Sequence, residues 1–142
     1  MSGIVVGIDS SNHSMTALEW AMREAAVHGE PLTVVTVEVV AASGWGGSQV
    51  YPADYELRDK AQKAAEEAVA AAAQKLGDGA PKSVTVKAVL GQPAEQMLEA
   101  AQGADHLILG RRGTGGFNRL TLGSVSSQVA HHADCPVTIV PD

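Results

Sequence analysis

The chain has 142 residues, of which 45% are hydrophobic and 18% are charged, a balance that suits one globular domain over residues 1–142. Lysine and arginine number 10 against 16 aspartate and glutamate residues, which gives a net charge of −6. Nucleic-acid binders and binders of anionic membranes need a basic face, so this charge argues against both classes. The single cysteine, Cys135, excludes an internal disulfide and a cysteine-based metal cluster.

The hydropathy and the N-terminal sequence predict where the protein resides. No apolar run approaches the roughly 20 residues of a membrane-spanning helix. The segment Met1–Gly7 leads directly into a strand and lacks the positive charge that opens a signal peptide. We therefore expect a cytoplasmic protein that contacts no membrane.

Strand patterns and helix patterns alternate along the chain. Short runs of β-branched apolar residues predict buried strands, and helical spacing of apolar residues or stretches of strong helix formers predict helices between them. In chain order the predicted elements are strand Ile4–Ile8, helix His13–His28, strand Leu32–Val40, helix Asp54–Leu76, strand Ser83–Leu90, a short helix from Pro93 to about Ala101, strand His106–Leu109, helix Gly123–His132 and strand Pro136–Val140.

This alternation predicts right-handed crossovers and an open, five-stranded parallel sheet with helices on both faces, a Rossmann-like α/β fold. In such sheets the carboxyl ends of the strands meet at one edge, and ligands bind there where the strand order reverses. Asp9 follows the first strand and Gly110 follows the fourth, so both residues are predicted to lie at that edge. Asp9 has an alternative interpretation as a cap of the helix that follows it.

The segment between Gly110 and Ser124 carries the pattern that indicates a ligand. It is rich in glycine and separates a buried strand from a helix. Glycines let backbone N–H groups approach an anion, and the start of a helix favours negative charge. The sequence therefore predicts a phosphate site, with free N–H groups on Gly123, Ser124 and Val125.

Two simpler interpretations of this segment stay open. The glycines could serve only as a flexible connection, and the arginines of the segment could be solvated surface charges. Three arginines in one loop of an acidic protein nevertheless favour a bound anion. These are Arg111, Arg112 and Arg119.

The catalytic motifs of several enzyme classes are absent from the sequence. It contains neither a P-loop nor the dinucleotide-binding glycine fingerprint, and it lacks a nucleophile elbow, a zinc-protease motif and a kinase signature. This favours a binding module without efficient catalysis. One alternative is a slow Mg-dependent ATPase or nucleotidyl-transferring enzyme that uses Asp9, and another is a scaffold whose pocket stays empty.

The pattern Gly110-x-x-Gly113-(nine residues)-Gly123-Ser124 resembles the signature of the ATP-binding branch of the universal stress proteins. The resemblance covers the whole chain. Further matching segments are Val6–Ser11, Val35–Val37, Gly91–Glu95, Ala104–Asp105, Gly123–Ser126 and Cys135–Val137. The resemblance implies an adenine nucleotide alpha hydrolase-like sheet of strand order 3-2-1-4-5. It also implies ATP, ADP or AMP as the ligand, with or without magnesium.

The resemblance further implies roles for individual residues. Asp9 would lie by the ribose and phosphates, the Val37 backbone at the adenine edge, and Gly110 near the ribose. The phosphates would be held by Arg112, Gly113, Gly123, Ser124 and Val125. The family commonly forms homodimers by pairing its last strands, here Val137–Val140, and acts as a stress-response regulator or switch on protein clients.

Overall fold

The computed structural model describes residues 3–9, 12–40, 50–111 and 123–141. Its strands and helices alternate as the sequence predicts, with bounds within two residues of the expected ones. None of the described helices has the length and apolarity that crossing a membrane requires. In chain order the elements are β1 (Ile4–Ile8), α1 (Asn12–His28), β2 (Leu32–Val39), α2 (Pro52–Leu76), a 3₁₀ turn (Gly77–Gly79), β3 (Val84–Gly91), α3 (Pro93–Ala100), β4 (His106–Gly110), α4 (Ser124–His132) and β5 (Val137–Val140).

The strands form one parallel sheet of order β3-β2-β1-β4-β5. The predicted strand order is therefore confirmed. The order reverses between β1 and β4, which are neighbours in the sheet although α1, β2, α2, β3 and α3 separate them in the chain. The crevice expected of such folds lies at the carboxyl ends of these two strands.

Each face of the sheet packs against two helices, because successive side chains of a strand point to opposite faces. The face that carries Val6 and Ile108 packs on α1 and α2. The opposite face, which carries Val5 and Leu107, packs on α3 and α4. Both sets of strand residues are fully buried, which explains why the strands contain almost unbroken apolar runs.

Two backbone groups on the outer edge of β3 are bonded to one side chain of α2. The Gln62 amide donates to the Val86 carbonyl at 2.9 Å and accepts the Ala88 N–H at 2.7 Å. In a parallel sheet, a residue of a neighbouring strand makes the same pair of bonds. It donates to the carbonyl of the residue before its partner and accepts the N–H of the residue after its partner. The Gln62 side chain therefore takes the place of a sixth strand at this position.

The helices α2 and α3 both begin with proline, at Pro52 and Pro93. Their starts are fixed by polar side chains next to the proline. The Asp54 carboxylate accepts the Tyr51 N–H at 2.7 Å, and the Gln92 side chain donates to the Val40 carbonyl at 2.9 Å. Proline suits the first helical position because the N–H it lacks has no acceptor within the helix.

Candidate functional site

Three neighbouring strands bring predicted site residues to one edge of the sheet. Ile8 lies opposite Thr36, so Asp9 and Val37 follow at the same level on β1 and β2. Gly110 is the last residue of β4, two places beyond the residue that pairs with Val6. The structure thus collects Asp9, Val37 and Gly110 at the carboxyl edge, around the point where the strand order reverses.

The start of α4 is tied to this edge by backbone hydrogen bonds. Gly123 donates its N–H to the Arg111 carbonyl at 2.8 Å, and Arg111 donates its own N–H to the Val140 carbonyl at 3.0 Å. Residue 123 therefore lies next to residue 111, at the end of β4. Because the Gly123 N–H already has an acceptor, the expectation that it is free is wrong.

The next N–H groups of α4 remain suited to an anion. The first N–H groups of a helix have no acceptor within it, and here they belong to Ser124, Val125 and Ser126. The cap residue is Gly123, which carries no side chain that could accept them. Ser124, the first residue of the helix, is exposed. The phosphate-binding role of Gly123, Ser124 and Val125 stays a prediction.

Two buried serines that no sequence motif singles out contact the same edge. The Ser14 hydroxyl donates to the Asp9 carbonyl at 2.9 Å and accepts the Asp9 N–H at 3.1 Å. The Ser126 hydroxyl donates to the Gly110 carbonyl at 2.6 Å. Each serine therefore joins the first turn of a helix to the end of the strand that precedes that helix.

The position of Asp9 bears on its two interpretations. The helix α1 begins at Asn12, so the residue that directly precedes the helix is residue 11 and not Asp9. Asp9 lies beyond the end of β1 and is partly exposed at the carboxyl edge. The ligand-facing role of Asp9 stays a prediction.

Other predicted residues lie outside the described part of the chain. They are Arg112, Gly113 and Arg119. Their roles stay predictions. Among the residues that the structure describes, no cluster of three or more His, Cys, Asp or Glu side chains has the arrangement of a metal site.

The single thiol lies away from the candidate site. Cys135 lies two residues before β5, at the amino edge of the sheet, and is partly buried against the α3 and α4 core. Burial raises the pKa of the Cys135 thiol, and the carboxylates of Asp134 and Asp105 raise this pKa further. A raised pKa lowers the thiolate fraction at neutral pH, so Cys135 is poorly suited to be a nucleophile.

The whole chain can be compared with known protein families. The model of the Universal stress protein family matches residues 1–141. The chain belongs to this family. Among curated relatives, a universal stress protein of Mycolicibacterium smegmatis is 32% identical over 139 residues, which cover 97% of this chain and 47% of the relative. A universal stress protein of Mycobacterium tuberculosis is 34% identical over 140 residues, with the same coverage of 97% and 47%. The chain thus spans about half the length of the curated relatives it matches.

Solved structures of the family share the fold. The universal stress protein UspA from Lactobacillus plantarum superposes with a TM-score of 0.77 at 27% identity, covering 99% of this chain and 97% of that one. A universal stress protein in complex with cAMP has a TM-score of 0.67 at 23% identity and coverages of 99% and 96%. The Archaeoglobus fulgidus protein in complex with dAMP has a TM-score of 0.67 at 22% identity and coverages of 98% and 97%. At these lower identities the likeness shows the fold.

Proposed function

We propose that this universal stress protein is a cytoplasmic, ATP-binding regulator of the stress response. In this proposal ATP binds at the carboxyl edge between β1 and β4, and its presence changes a surface that a protein client reads. ADP and AMP would share most of its contacts with the site. Membership of the universal stress protein family supports the regulatory role.

The start of α4 is the observation that carries the proposal. Its N–H groups at Ser124 and Val125 lie beside the end of β4, because Gly123 is bonded to Arg111 and Ser126 is bonded to Gly110. A helix start combines N–H donors with the positive end of the helix dipole, so it favours a phosphate group. Glycine at position 123 leaves space for that group to approach the backbone.

The adenine part of the ligand is supported by relatives of the same fold. Two universal stress proteins have been solved with cAMP and with dAMP, and both ligands are adenine nucleotides. In this chain Val37, near the end of β2, lies beside the end of β1, where a base could contact the strand backbone. Magnesium would find oxygen ligands of the kind it prefers on Asp9 and Ser124.

Replacing Ser124 by proline tests the phosphate contact. Proline removes the first N–H of α4 but suits this position, and Gly123, at φ −65° and ψ 161°, has the conformation that a following proline requires. A hydrogen bond to a charged group contributes about 1.5–3 kcal/mol, so we expect Ser124→Pro to weaken ATP binding roughly 10- to 150-fold. The dissociation constants would be measured by calorimetry with magnesium present.

Ser124→Ala is the matched control, since it removes the hydroxyl and retains the N–H. We expect it to weaken ATP binding less than the proline variant does. Equal affinity of the wild type and Ser124→Pro would show that this N–H does not contact the phosphates. A wild type that binds no adenine nucleotide would overturn the proposed function itself.

We also propose a homodimer through β5. Leu107 donates to the Pro136 carbonyl and Arg111 donates to the Val140 carbonyl, so alternate residues of β5 face β4. The backbone groups of Val137 and Ile139 therefore face away from the sheet. An outward row of N–H and C=O groups is suited to pairing with a strand of a second copy.

Replacing Ile139 by proline tests this dimer. Proline removes an outward N–H and leaves the bonds between β4 and β5 intact, which an edge strand tolerates. We expect the wild type and the control Ile139→Ala to sediment as two copies and Ile139→Pro to sediment as one. A proline variant that still sediments as two copies would place the interface elsewhere.

A further inference from the structure

The two helices that flank the strand-order reversal each bury a serine in their first turn. Ser14 is the third residue of α1 and is 4% exposed, and Ser126 is the third residue of α4 and is 5% exposed. In the described part of the chain, Thr33 is the only other polar side chain that is buried. Burying a hydroxyl has a cost unless it is hydrogen-bonded, and both hydroxyls are bonded to strand ends.

The two serines bond to equivalent places in the fold. Ser14 holds both backbone groups of Asp9, directly after β1, and Ser126 holds the carbonyl of Gly110, the last residue of β4. Since β1 and β4 are the neighbours at which the strand order reverses, the two contacts lie on either side of the crevice. Each contact fixes the distance from a strand end to the first turn of a helix.

The other two helices begin differently. Proline occupies the first position of α2 and α3, where it removes one N–H donor. By contrast, α1 begins with Asn12 and α4 with Ser124, which retain that N–H. The helices that flank the crevice thus keep their full set of N–H donors, and a buried serine two residues later anchors them.

We propose that Ser14 and Ser126 are positioning residues for the nucleotide. Ser126 holds the start of α4 against Gly110, so that the N–H groups of Ser124 and Val125 meet the phosphates. Ser14 holds Asp9 at the opposite side of the same crevice. This inference rests on the proposed function, because it assigns to both serines the alignment of a site for adenine nucleotide.

Alanine at position 126 provides the test. Alanine is small and favours helices more than serine does, so Ser126→Ala removes the bond to Gly110 without weakening α4 intrinsically. Losing the alignment that a hydrogen bond maintains should weaken ATP binding about tenfold. Adenosine lacks phosphates, so its affinity should stay within about twofold of the wild-type value, since the N–H groups of α4 act on phosphate.

A control variant and a second ligand distinguish a loss of alignment in the nucleotide site from a loss of protein stability. Ser127→Ala changes the neighbouring serine of the same helix, which is only partly buried, and should bind both ligands as the wild type does. Calorimetry with ATP and with adenosine gives the ratio of the two affinities for each variant, and thermal denaturation shows whether each variant folds. Ser126→Thr retains a hydroxyl and should restore much of the preference for ATP.

The possible outcomes distinguish a failure of the proposed function from a failure of the positioning role of the serines. If the wild type binds no ATP, the proposed function fails. If the wild type binds ATP and Ser126→Ala binds it as tightly, the proposed function stands and the positioning role is wrong. Equal losses of ATP and adenosine affinity would also overturn it, because they would indicate a purely structural role. Should Ser126→Ala not fold, Ser14→Ala makes the same comparison from α1, with the exposed Thr16→Ala as its control.

Discussion

Replacing Gly3 by alanine is expected to lower the free energy of unfolding by about 2–4 kcal/mol, the sum of backbone strain and overpacking. Gly3 has a φ of +107°, which side chains of L residues rarely permit. A Cβ added there would lie 2.7 Å from the Pro31 carbonyl oxygen and 2.9 Å from Pro31 Cγ. The oxygen belongs to the backbone, so it cannot move away without shifting the start of β2.

Gly3 and the adjacent Ile4 together connect three strands. The Gly3 N–H donates to the Asp105 carboxylate at 2.8 Å, and the Asp105 N–H donates to the Gly3 carbonyl at 2.9 Å. The start of β1 is thereby fixed to the start of β4, while the Ile4 N–H donates to the Pro31 carbonyl that precedes β2. A shift that relieves the clash at Pro31 would therefore disturb the bonds to Asp105 as well.

Urea denaturation of Gly3→Ala and Gly29→Ala would measure this effect. Gly29 also has a positive φ, of +64°, but no atom lies within 4 Å of an added Cβ. Its replacement should cost only the conformational strain, about 1 kcal/mol. Equal losses for the two variants would show that the contact with Pro31 contributes nothing.

Replacing Ile108 by alanine should lower the free energy of unfolding by about 3–4 kcal/mol, within the range found for buried isoleucines. Ile108 is fully buried in the central part of the sheet, between Val6 of β1 and Thr138 of β5. It packs in the core beneath α1 and α2, where a cavity would be surrounded by other buried side chains. Such a site has little room to collapse.

A graded series would test the prediction for Ile108. Ile108→Val removes one methylene group and should cost about 1 kcal/mol. Val39→Ala, in the same sheet, removes a side chain that is 57% exposed and should change the stability by less than about 0.5 kcal/mol. If Ile108→Ala unfolds no more easily than Val39→Ala, the assignment of this residue to the main core is wrong.

The alternation of strands and helices is predictable because the apolar runs of the strands differ from the helix patterns, whereas the strand order is what the family resemblance implies. Apolar runs such as Ile4–Ile8 are too short for helices and too apolar for loops, and strong helix formers separate them. The sequence predicts that α2 begins at Asp54, two residues after its actual start. In the structure Pro52 begins it, and the Asp54 side chain accepts the N–H of Tyr51.

The candidate site was predictable only in part. Parallel strands place their carboxyl ends together, so the shared edge of Asp9 and Gly110 followed from the pattern. The bond from Gly123 to Arg111 joins residues 12 positions apart in sequence, and no local pattern specifies it. Ser126 gave one usable signal, because it shares the buried face of α4 with Val129. A serine on an apolar helix face must find a hydrogen-bond partner, but the sequence does not identify Gly110 as that partner.

The Gln62 amide makes the two ends of the sheet unequal. It occupies backbone groups of β3 that a further strand would need, whereas Val137 and Ile139 present theirs outward on β5. A chain that can be extended at both edges would add copies without limit and form fibres. A chain that can be extended at only one edge stops when two copies have met, because their pairing uses the open edge of each. In the homodimer proposed through β5, the bonds of Gln62 to β3 would therefore help to stop strand pairing at two copies.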